Sequence, residues 1–548
     1  MLSRRRFLHT GLAAGALALA TSSRAADVAL GQAMDASVPA GVAYDPAPFT
    51  LGVASGDPLP GSVILWTRIA PEPLRGGGAG EAPVEVAWVV AEDPRLRRVV
   101  ASGTTTARAD FGHSVHVDVT GLEPATVYFY AFTALGRRSR IGRTRTAPAP
   151  GSTDEVSFAF VSCQAFDAAH YAAYREVVRQ RPDFVVHLGD YIYEGGGPDT
   201  SAERAHVGAE PFDLATYRTR YALYKGDVNL KAAHAAAPFV VTWDDHEVDN
   251  NYRGLHPQDE NAAEGNDSPE AFSARRQAAY QAYYEHMPIR LPAGPAVGGD
   301  MQIYRSLTFG DVIDLSIIDT RQHSSDQPST ENPTVGGDAR DPSRTILGEA
   351  QRAWLLDRLS SRSAAWSCIG NQVQVHPINV PAGLPDVVDD LIATIGVPLN
   401  GEPGLNGDSW DGFVADRERL LGHVAAEGIP DVVVITGDIH SHWVADLSTD
   451  FGDPTAPVVA TEFVGTSVSS DGLPAGTNAA VRALLAPTNP HIRFVEGEQR
   501  GIALVRATPD RWRTTFRTVD DPQDPTSAMS TLAAWEVSRG QAGAVQVG

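Results

Sequence analysis

Five short apolar runs constrain this chain more than any other feature: 156–161 (VSFAFV), 184–188 (FVVHL), 239–243 (FVVTW), 313–318 (IDLSII) and 432–436 (VVVIT). Each has the length of one strand, and each gives way to polar residues at its C-terminal end. Strands that are apolar at nearly every position are buried on both faces, so they need a layer on either side. Helical sequence separates them, as over 168–180. Strands alternating with helices make a layered α/β domain, and such domains bind ligands where the strands end. The residues at those ends are Ser162-Cys163, Gly189-Asp190, Asp244-Asp245-His246, Asp319 and Gly437-Asp438.

The chain before residue 150 reads differently. Residues 62–68, 84–90 and 113–119 alternate apolar and polar side chains, with turn residues between them, the pattern of half-buried antiparallel strands. Leu122-x-Pro124-x-Thr126-x-Tyr128 resembles the tyrosine corner of fibronectin-type sandwiches. We therefore expect a small β-sandwich over 49–146, a Pro/Gly/Thr-rich linker over 144–152, and the larger α/β domain over 153–548. Residues 27–48 lack periodicity and read as a tether. Pro/Gly-rich stretches at 324–343 and 381–409 read as loops near the strand ends, and strand patterns return from about residue 489.

Residues 1–26 form an address rather than a structural element. A basic head (Ser3-Arg4-Arg5-Arg6-Phe7-Leu8), a short apolar run and Ser23-Arg24-Ala25 follow one another. The head resembles a twin-arginine export signal, and the run is too short to span a bilayer, which takes about 20 residues. This predicts a partnership with the twin-arginine translocase during export, a periplasmic or secreted protein, and a chain that is not an integral membrane protein. Lys+Arg 44 against Asp+Glu 67 gives a net charge of −23, which argues against a nucleic-acid-binding face. Two cysteines, Cys163 and Cys368, make no disulfide framework. Any anionic ligand must be attracted by something other than surface charge.

Metal ions would supply that attraction. A single Asp at a strand end is an ordinary helix cap, and a single buried Cys an ordinary apolar side chain. Here Cys163, Asp190 with Tyr193, Asp245 with His246, and Asp438 with His440 cluster at four strand ends. All are ligand types, from hard oxygen donors to a soft thiolate. A carboxylate shared by two cations is the core of a two-metal hydrolase.

Three motifs carry a family resemblance: Gly189-Asp190-Tyr191-Ile192-Tyr193-Glu194, Trp243-Asp244-Asp245-His246-Glu247 and Gly437-Asp438-Ile439-His440-Ser441-His442-Trp443. Together they resemble the calcineurin-like metallophosphoesterases, and more narrowly the PhoD-like alkaline phosphatases. The resemblance implies a two-layered β-sheet sandwich flanked by helices, the metallophosphoesterase fold, preceded by the fibronectin-like β-sandwich. It implies Fe3+ held by Cys163, Asp190, Tyr193 and His440, with Asp190 bridging to Ca2+, one ion or two, held by Asp438 and Asp245. Asn250, Asn251, Asn371 and Gln372 remain open as further ligands of the second metal. His246 is the implied acid for the leaving group, or else a structural histidine. Arg321 is a clamp for a phosphate oxygen, or else a partner of Asp319. His442, Glu194 and Glu247 are expected to orient ligands.

The expected activity is exported, metal-dependent hydrolysis of phosphate mono- and diesters. The alternatives are a phospholipase D-type phosphodiesterase of the same family and an exported binding or adhesion protein.

Overall fold

The computed structural model describes residues 39–196, 204–258, 266, 268–291, 300–328, 338–379 and 407–548. The predicted signal at 1–26 therefore lies outside the described residues, as does much of the two Pro/Gly-rich loops. Residues 39–548 form one compact unit.

The N-terminal strands are β1 (Val53–Leu59), β2 (Ser62–Arg68), β3 (Val84–Ala91), β4 (Val99–Ala107), β5 (Ser114–Thr120), β6 (Val127–Ala134), β7 (Arg137–Arg138) and β8 (Gly142–Arg145). They make two facing layers, β1-β2-β5 and β4-β3-β6-β7 with β8 on β6, around a shared core that includes Val63, Leu65, Val86, Val90, Val117 and Phe132. The Tyr128 hydroxyl accepts a 2.9 Å hydrogen bond from the Glu123 amide five residues upstream, the contact a tyrosine corner makes. The first layer is not free-standing. At Gly56 the strand β1 pairs in parallel with Phe239 of the α/β domain. A Cβ at Gly56 would run into the Pro288 and Phe239 carbonyl oxygens, so this junction admits only glycine.

The α/β domain continues with β9 (Val156–Val161), β10 (Phe184–His187), β11 (Phe239–Val241), β12 (Arg305–Phe309), β13 (Ile313–Ile317), β14 (Trp366–Gly370), β15 (Val432–Thr436), β16 (His442–Ser448), β17 (Val458–Val464), β18 (Ile492–Glu496), β19 (Gly501–Thr508), β20 (Arg511–Val519), β21 (Met529–Ser538) and β22 (Val545–Gln546). All five apolar runs are strands. One sheet has the order β22-β21-β20-β19-β9-β10-β11-β1-β2-β5 and the other β12-β13-β14-β15-β17-β16-β18. The last strands extend the far edge of the first sheet.

Strand periodicity explains the layering, because alternate side chains face opposite sides. Phe158, Phe160, Phe184 and Val186 meet Leu315, Ile317, Cys368, Val433 and Ile435 between the sheets. Cys368 is thus a core side chain. Ala159, Val161, Val185 and Val241 face the other way, onto helices α1 (Tyr174–Gln180), α2 (Leu214–Lys225), α3 (Val228–His234) and α4 (Pro269–His286). Ile369, Val432 and Val434 face α5 (Glu349–Ser360) and α6 (Val414–Ala426) across the second sheet. The first helix is shorter than the 168–180 expected, because residues 168–173 are irregular and turn-like. No helix among the described residues is long and apolar enough to cross a membrane.

The end of the expected tether is packed. Asp45 pairs with Lys231 at 3.1 Å and with Arg140 at 2.8 Å. Lys231 and Lys225 are the two lysines of the chain, and both are buried. The Lys225 ammonium sits 4.3 Å from the centre of the Trp66 ring and 5.4 Å from that of Tyr191. Burial pulls its pKa down to about 7, while the buried His187 and His234 lie close enough to feel its charge.

A lysine that titrates near 7 when folded and near 10.5 when unfolded costs stability. The full cost applies below pH 7, and it fades as pH rises toward 10.5. Lys225→Met should therefore stabilise the protein at pH 7 by about 2–4 kcal/mol, the cation–π contact offsetting part of the desolvation cost. Denaturant titrations should show that gain shrinking at pH 10; an equal gain at both pH values would mean that desolvation of the ammonium is not its source.

Candidate metal centre

The loops that leave β9, β10, β11 and β15 converge at one end of the two sheets. Cys163, Asp190, Asp438 and His440 all have positive φ, at 57°, 54°, 68° and 50°. Non-glycine residues rarely adopt this region, and such strain persists where the surroundings enforce it. Gly189, at φ 117°, packs so closely on Asp244 that a side chain there would collide with it. Glu247 ties the same two loops together. Its carboxylate accepts from the amides of Asp190 (3.1 Å), Tyr191 (2.5 Å) and Asp244 (2.7 Å).

Three groups of donor side chains lie in sequence. Ligand atoms of Cys163, Asp190 and His440 fall within 4.8 Å of one another, as do those of Asp190, Asp245 and His246, and those of Asp244, Asp245 and Asp438. Asp190 belongs to the first two groups and Asp245 to the last two. The Tyr193 hydroxyl joins the first group, 3.1 Å from Asp190 Oδ2 and 3.0 Å from His440 Nε2. Cys163 Sγ lies 3.7 Å from the Asp438 carbonyl oxygen. Cys163, Asp190, Asp244 and Asp245 are buried, whereas Tyr193, His246, Asp438 and His440 are partly exposed, so the floor is dry and the rim reaches solvent.

This concentration of acids works against itself. Burial, then the charges of its neighbours, pushes Asp190 and Asp438 well above the usual carboxylate range. Burial lifts Asp244 to about 7, with Asp245 adding to the rise and Arg321 opposing it. The Cys163 thiol and the Tyr193 hydroxyl are pushed up by burial and then by Asp190. Asp245 is the exception. Burial opposes its ionisation, but Arg321, His246 and the Asn251 amide together outweigh burial and hold it below the usual range. Among the described residues Asp190 Oδ1 is buried without a hydrogen-bond partner, and Asp245 Oδ1 has only the Arg321 guanidinium, 3.3 Å away. Buried acceptors without partners are costly. Cations placed among these groups would remove that cost, so the donor set fits bound metal.

Arg321 lies inside the nest, fully buried. Its Nε donates to Asp244, its Nη1 and Nη2 reach Asp408 at 2.6 and 2.9 Å, and Nη2 is 3.3 Å from Asp245 and 3.7 Å from Asp438. Asp319 takes the backbone amides of Arg321 and Gln322 instead of the guanidinium. His246 Nδ1 is 2.7 Å from Glu194 Oε2, and its ring lies on Tyr193 with centroids 4.1 Å apart.

Several expectations are placed elsewhere. The Asn371 side chain is occupied by Val373, Thr436 and Trp410. That of Gln372 is occupied by Thr320, Thr242 and Ile318. Both cross-link the second sheet. Asn250 reaches outward to Gln258, and Asn251 contributes its backbone amide to Asp245 at 2.7 Å. His442 takes the Thr466 amide and packs on Phe516 with ring centres 4.2 Å apart, so it belongs to the core. Sequence reasoning named neither Asp244 nor Asp408 as a site residue. The first was signalled by the doubled Asp in Asp244-Asp245; the second lies two residues before the run Trp410-Asp411-Gly412-Phe413, which by itself assigns Asp408 no partner. Nor did it find Ser470, which donates to Tyr193 Oη at 2.8 Å, or Asp471, whose carbonyl is 2.6 Å from His440 Nδ1.

Known proteins are similar to this chain. A family model described as PhoD-like phosphatase matches residues 158–516, and one described as PhoD-like phosphatase, N-terminal domain, matches residues 35–148. Alkaline phosphatase D of Bacillus subtilis (strain 168) is 42% identical over 502 residues, which span 90% of this chain and 82% of that protein. A solved structure of PhoD superposes with a TM-score of 0.83 at 40% identity, covering 92% of this chain and 93% of the other. A purple acid phosphatase from yellow lupin seeds shares the fold at a TM-score of 0.51 and 11% identity, over 89% of this chain and 74% of its own. The first family model alone takes in more than half of the residues and all four converging loops, and so the chain belongs to the PhoD-like phosphatases and is an enzyme of that alkaline phosphatase type.

Proposed function

We propose that the protein is an exported, metal-dependent phosphatase that hydrolyses phosphate mono- and diesters and releases inorganic phosphate. The observation that carries this reading is the row of three donor groups joined through Asp190 and Asp245. We assign Fe3+ to Cys163, Asp190, Tyr193 and His440, because thiolate and phenolate suit a trivalent iron and fit magnesium or calcium poorly. We assign Ca2+, one ion or two, to the carboxylates of Asp190, Asp245, Asp438 and Asp244, since oxygen-only donors favour a hard cation. When bound, the metals polarise the phosphoryl oxygens and supply a water of lowered pKa as nucleophile.

The chain's own groups do the rest. Asp190 holds its donors in register with both sides of the nest. Burial opposes protonation of His246, and Glu194, which is not assigned to a metal and lies 2.7 Å from Nδ1, is the largest of the charges that raise its pKa against that burial. A protonated imidazole on the rim is suited to protonate a departing alkoxide. Arg321 balances the carboxylates, and a metal on Asp244, Asp245 and Asp438 would free guanidinium donors for a phosphate oxygen. Export by the twin-arginine translocase to the periplasm or beyond rests on residues 1–26.

His246→Asn should lower kcat by about 10²–10⁴-fold for alkyl phosphates, the usual contribution of a general acid. The loss should be much smaller for p-nitrophenyl phosphate, whose leaving group needs no proton. Equal losses on both substrates would assign His246 a structural role.

The overall reading is tested by steady-state turnover of p-nitrophenyl phosphate, bis-p-nitrophenyl phosphate and phosphatidylcholine, before and after complete demetallation. We expect the first two to be turned over and demetallation to abolish both activities. Turnover of the lipid alone would select the phospholipase D-type reading, and undiminished activity without metal would reject the proposal.

A further inference from the structure

The segment from Thr466 to Asp471, which follows β17, has no recognisable motif yet touches three of the four residues assigned to iron. The amide of Val468 bonds the Ser162 carbonyl at 3.0 Å, and those of Ser469 and Ser470 the Cys163 carbonyl at 3.4 and 3.3 Å. The Asp471 carbonyl is 2.6 Å from His440 Nδ1, and the Thr466 hydroxyl donates to the His440 carbonyl at 3.0 Å. An acceptor on Nδ1 fixes the imidazole tautomer and leaves Nε2 with a free lone pair. At the centre is Ser470, buried. Its hydroxyl oxygen accepts the Ala165 amide at 3.0 Å, and its hydroxyl hydrogen goes to Tyr193 Oη at 2.8 Å. The other two neighbours of that phenol oxygen, Asp190 and His440, are themselves assigned as ligands. Ser470 is not.

We propose that Ser470 is a positioning residue that tunes Tyr193 as a metal donor, its hydroxyl drawing charge from the phenolate oxygen and holding the ring in its ligating orientation. This rests on the reading of Tyr193 as a ligand of ferric iron. A hydrogen bond to a ligating oxygen stabilises its lone pairs and lowers what they give the metal. Without it the filled phenolate orbital rises toward the empty iron orbitals, and the gap between them narrows.

The test is the visible spectrum of the iron-replete enzyme, with iron content measured alongside. Wild type should show a phenolate-to-iron(III) charge-transfer band. Ser470→Ala should retain iron and move the band to longer wavelength. Ser470→Gly, the same deletion with less bulk, should move it in the same direction. Ser470→Thr, which keeps the hydroxyl, should stay near the wild-type position. A band unmoved in Ser470→Ala with iron intact overturns the proposal, as does a shift in Ser470→Thr as large as in Ser470→Ala, or a shift in Ser470→Ala that Ser470→Gly does not share. Absence of the band from iron-replete wild type would instead overturn the reading of Tyr193 as a ligand, so the two failures are distinguishable.

Discussion

Asp190→Ala is expected to leave a folded protein with almost no phosphatase activity. The carboxylate belongs to two donor groups at once, with Cys163 and His440 on one side and Asp245 and His246 on the other. Its Oδ1 is a buried acceptor with no hydrogen-bond partner among the described residues. Losing a group that merely orients a ligand costs about 10–100-fold in metal affinity or activity. Losing a ligand shared by two sites should cost more, and both metals should leave together. The chain should still fold, because removing a buried carboxylate whose pKa is pushed well up by burial removes an electrostatic cost that offsets part of the stabilisation lost with the metals. Metal analysis and a thermal melt on the same preparation test both halves. Full metal content, or unfolding in place of inactivation, would contradict the bridging role.

Glu247→Ala should produce the opposite balance: a large loss of stability, with inactivity as its consequence. The Glu247 carboxylate is buried and accepts three backbone amides from two loops. Burial, with the charge of Asp244 adding to it and the three amides opposing it, raises its pKa to about 8. Truncation leaves three buried N–H groups without acceptors, at about 1–3 kcal/mol each. We expect a destabilisation of at least about 3 kcal/mol, at the upper end of what a single substitution ordinarily costs. Glu247→Gln keeps one acceptor oxygen but turns an amide donor toward N–H groups, so it should recover only part of the loss. Chemical denaturation distinguishes this from a direct role in chemistry. A variant of wild-type stability but no activity would show that Glu247 acts on substrate or metal.

Much of this architecture was legible in the sequence because it rests on local patterns. The run 432–436 is apolar up to Thr436 because both faces of β15 are covered, by the facing sheet and by α6. The polar residues that follow it mark the binding end. Cys163, Asp190, Asp245 and Asp438 were legible for the same reason: each closely follows a buried strand, the first three on the parallel neighbours β9, β10 and β11 and the last on β15 of the facing sheet. Long-range partners were not legible. Nothing in the composition of 407–413 indicates that Asp408 would meet Arg321, 87 residues away. The loop from 466 to 471 acts through backbone groups and one hydroxyl, which no side-chain motif records. Asn371 and Gln372 had the chemistry of ligands, but their amides are spent on holding strands together. The first sheet also runs on into the N-terminal strands through Gly56, a junction that local periodicity cannot reveal.

The claim that cations rather than organic side chains supply the electrophilic power is tested most directly by elemental analysis of the purified native enzyme and of Cys163→Ala. The wild type should be coloured and contain iron and calcium, with iron equimolar to the chain. Cys163→Ala should lose the iron and the colour, and its kcat/KM should fall by more than about a hundredfold, beyond what loss of an orienting group costs. A colourless, iron-free wild-type preparation with full activity would contradict the account.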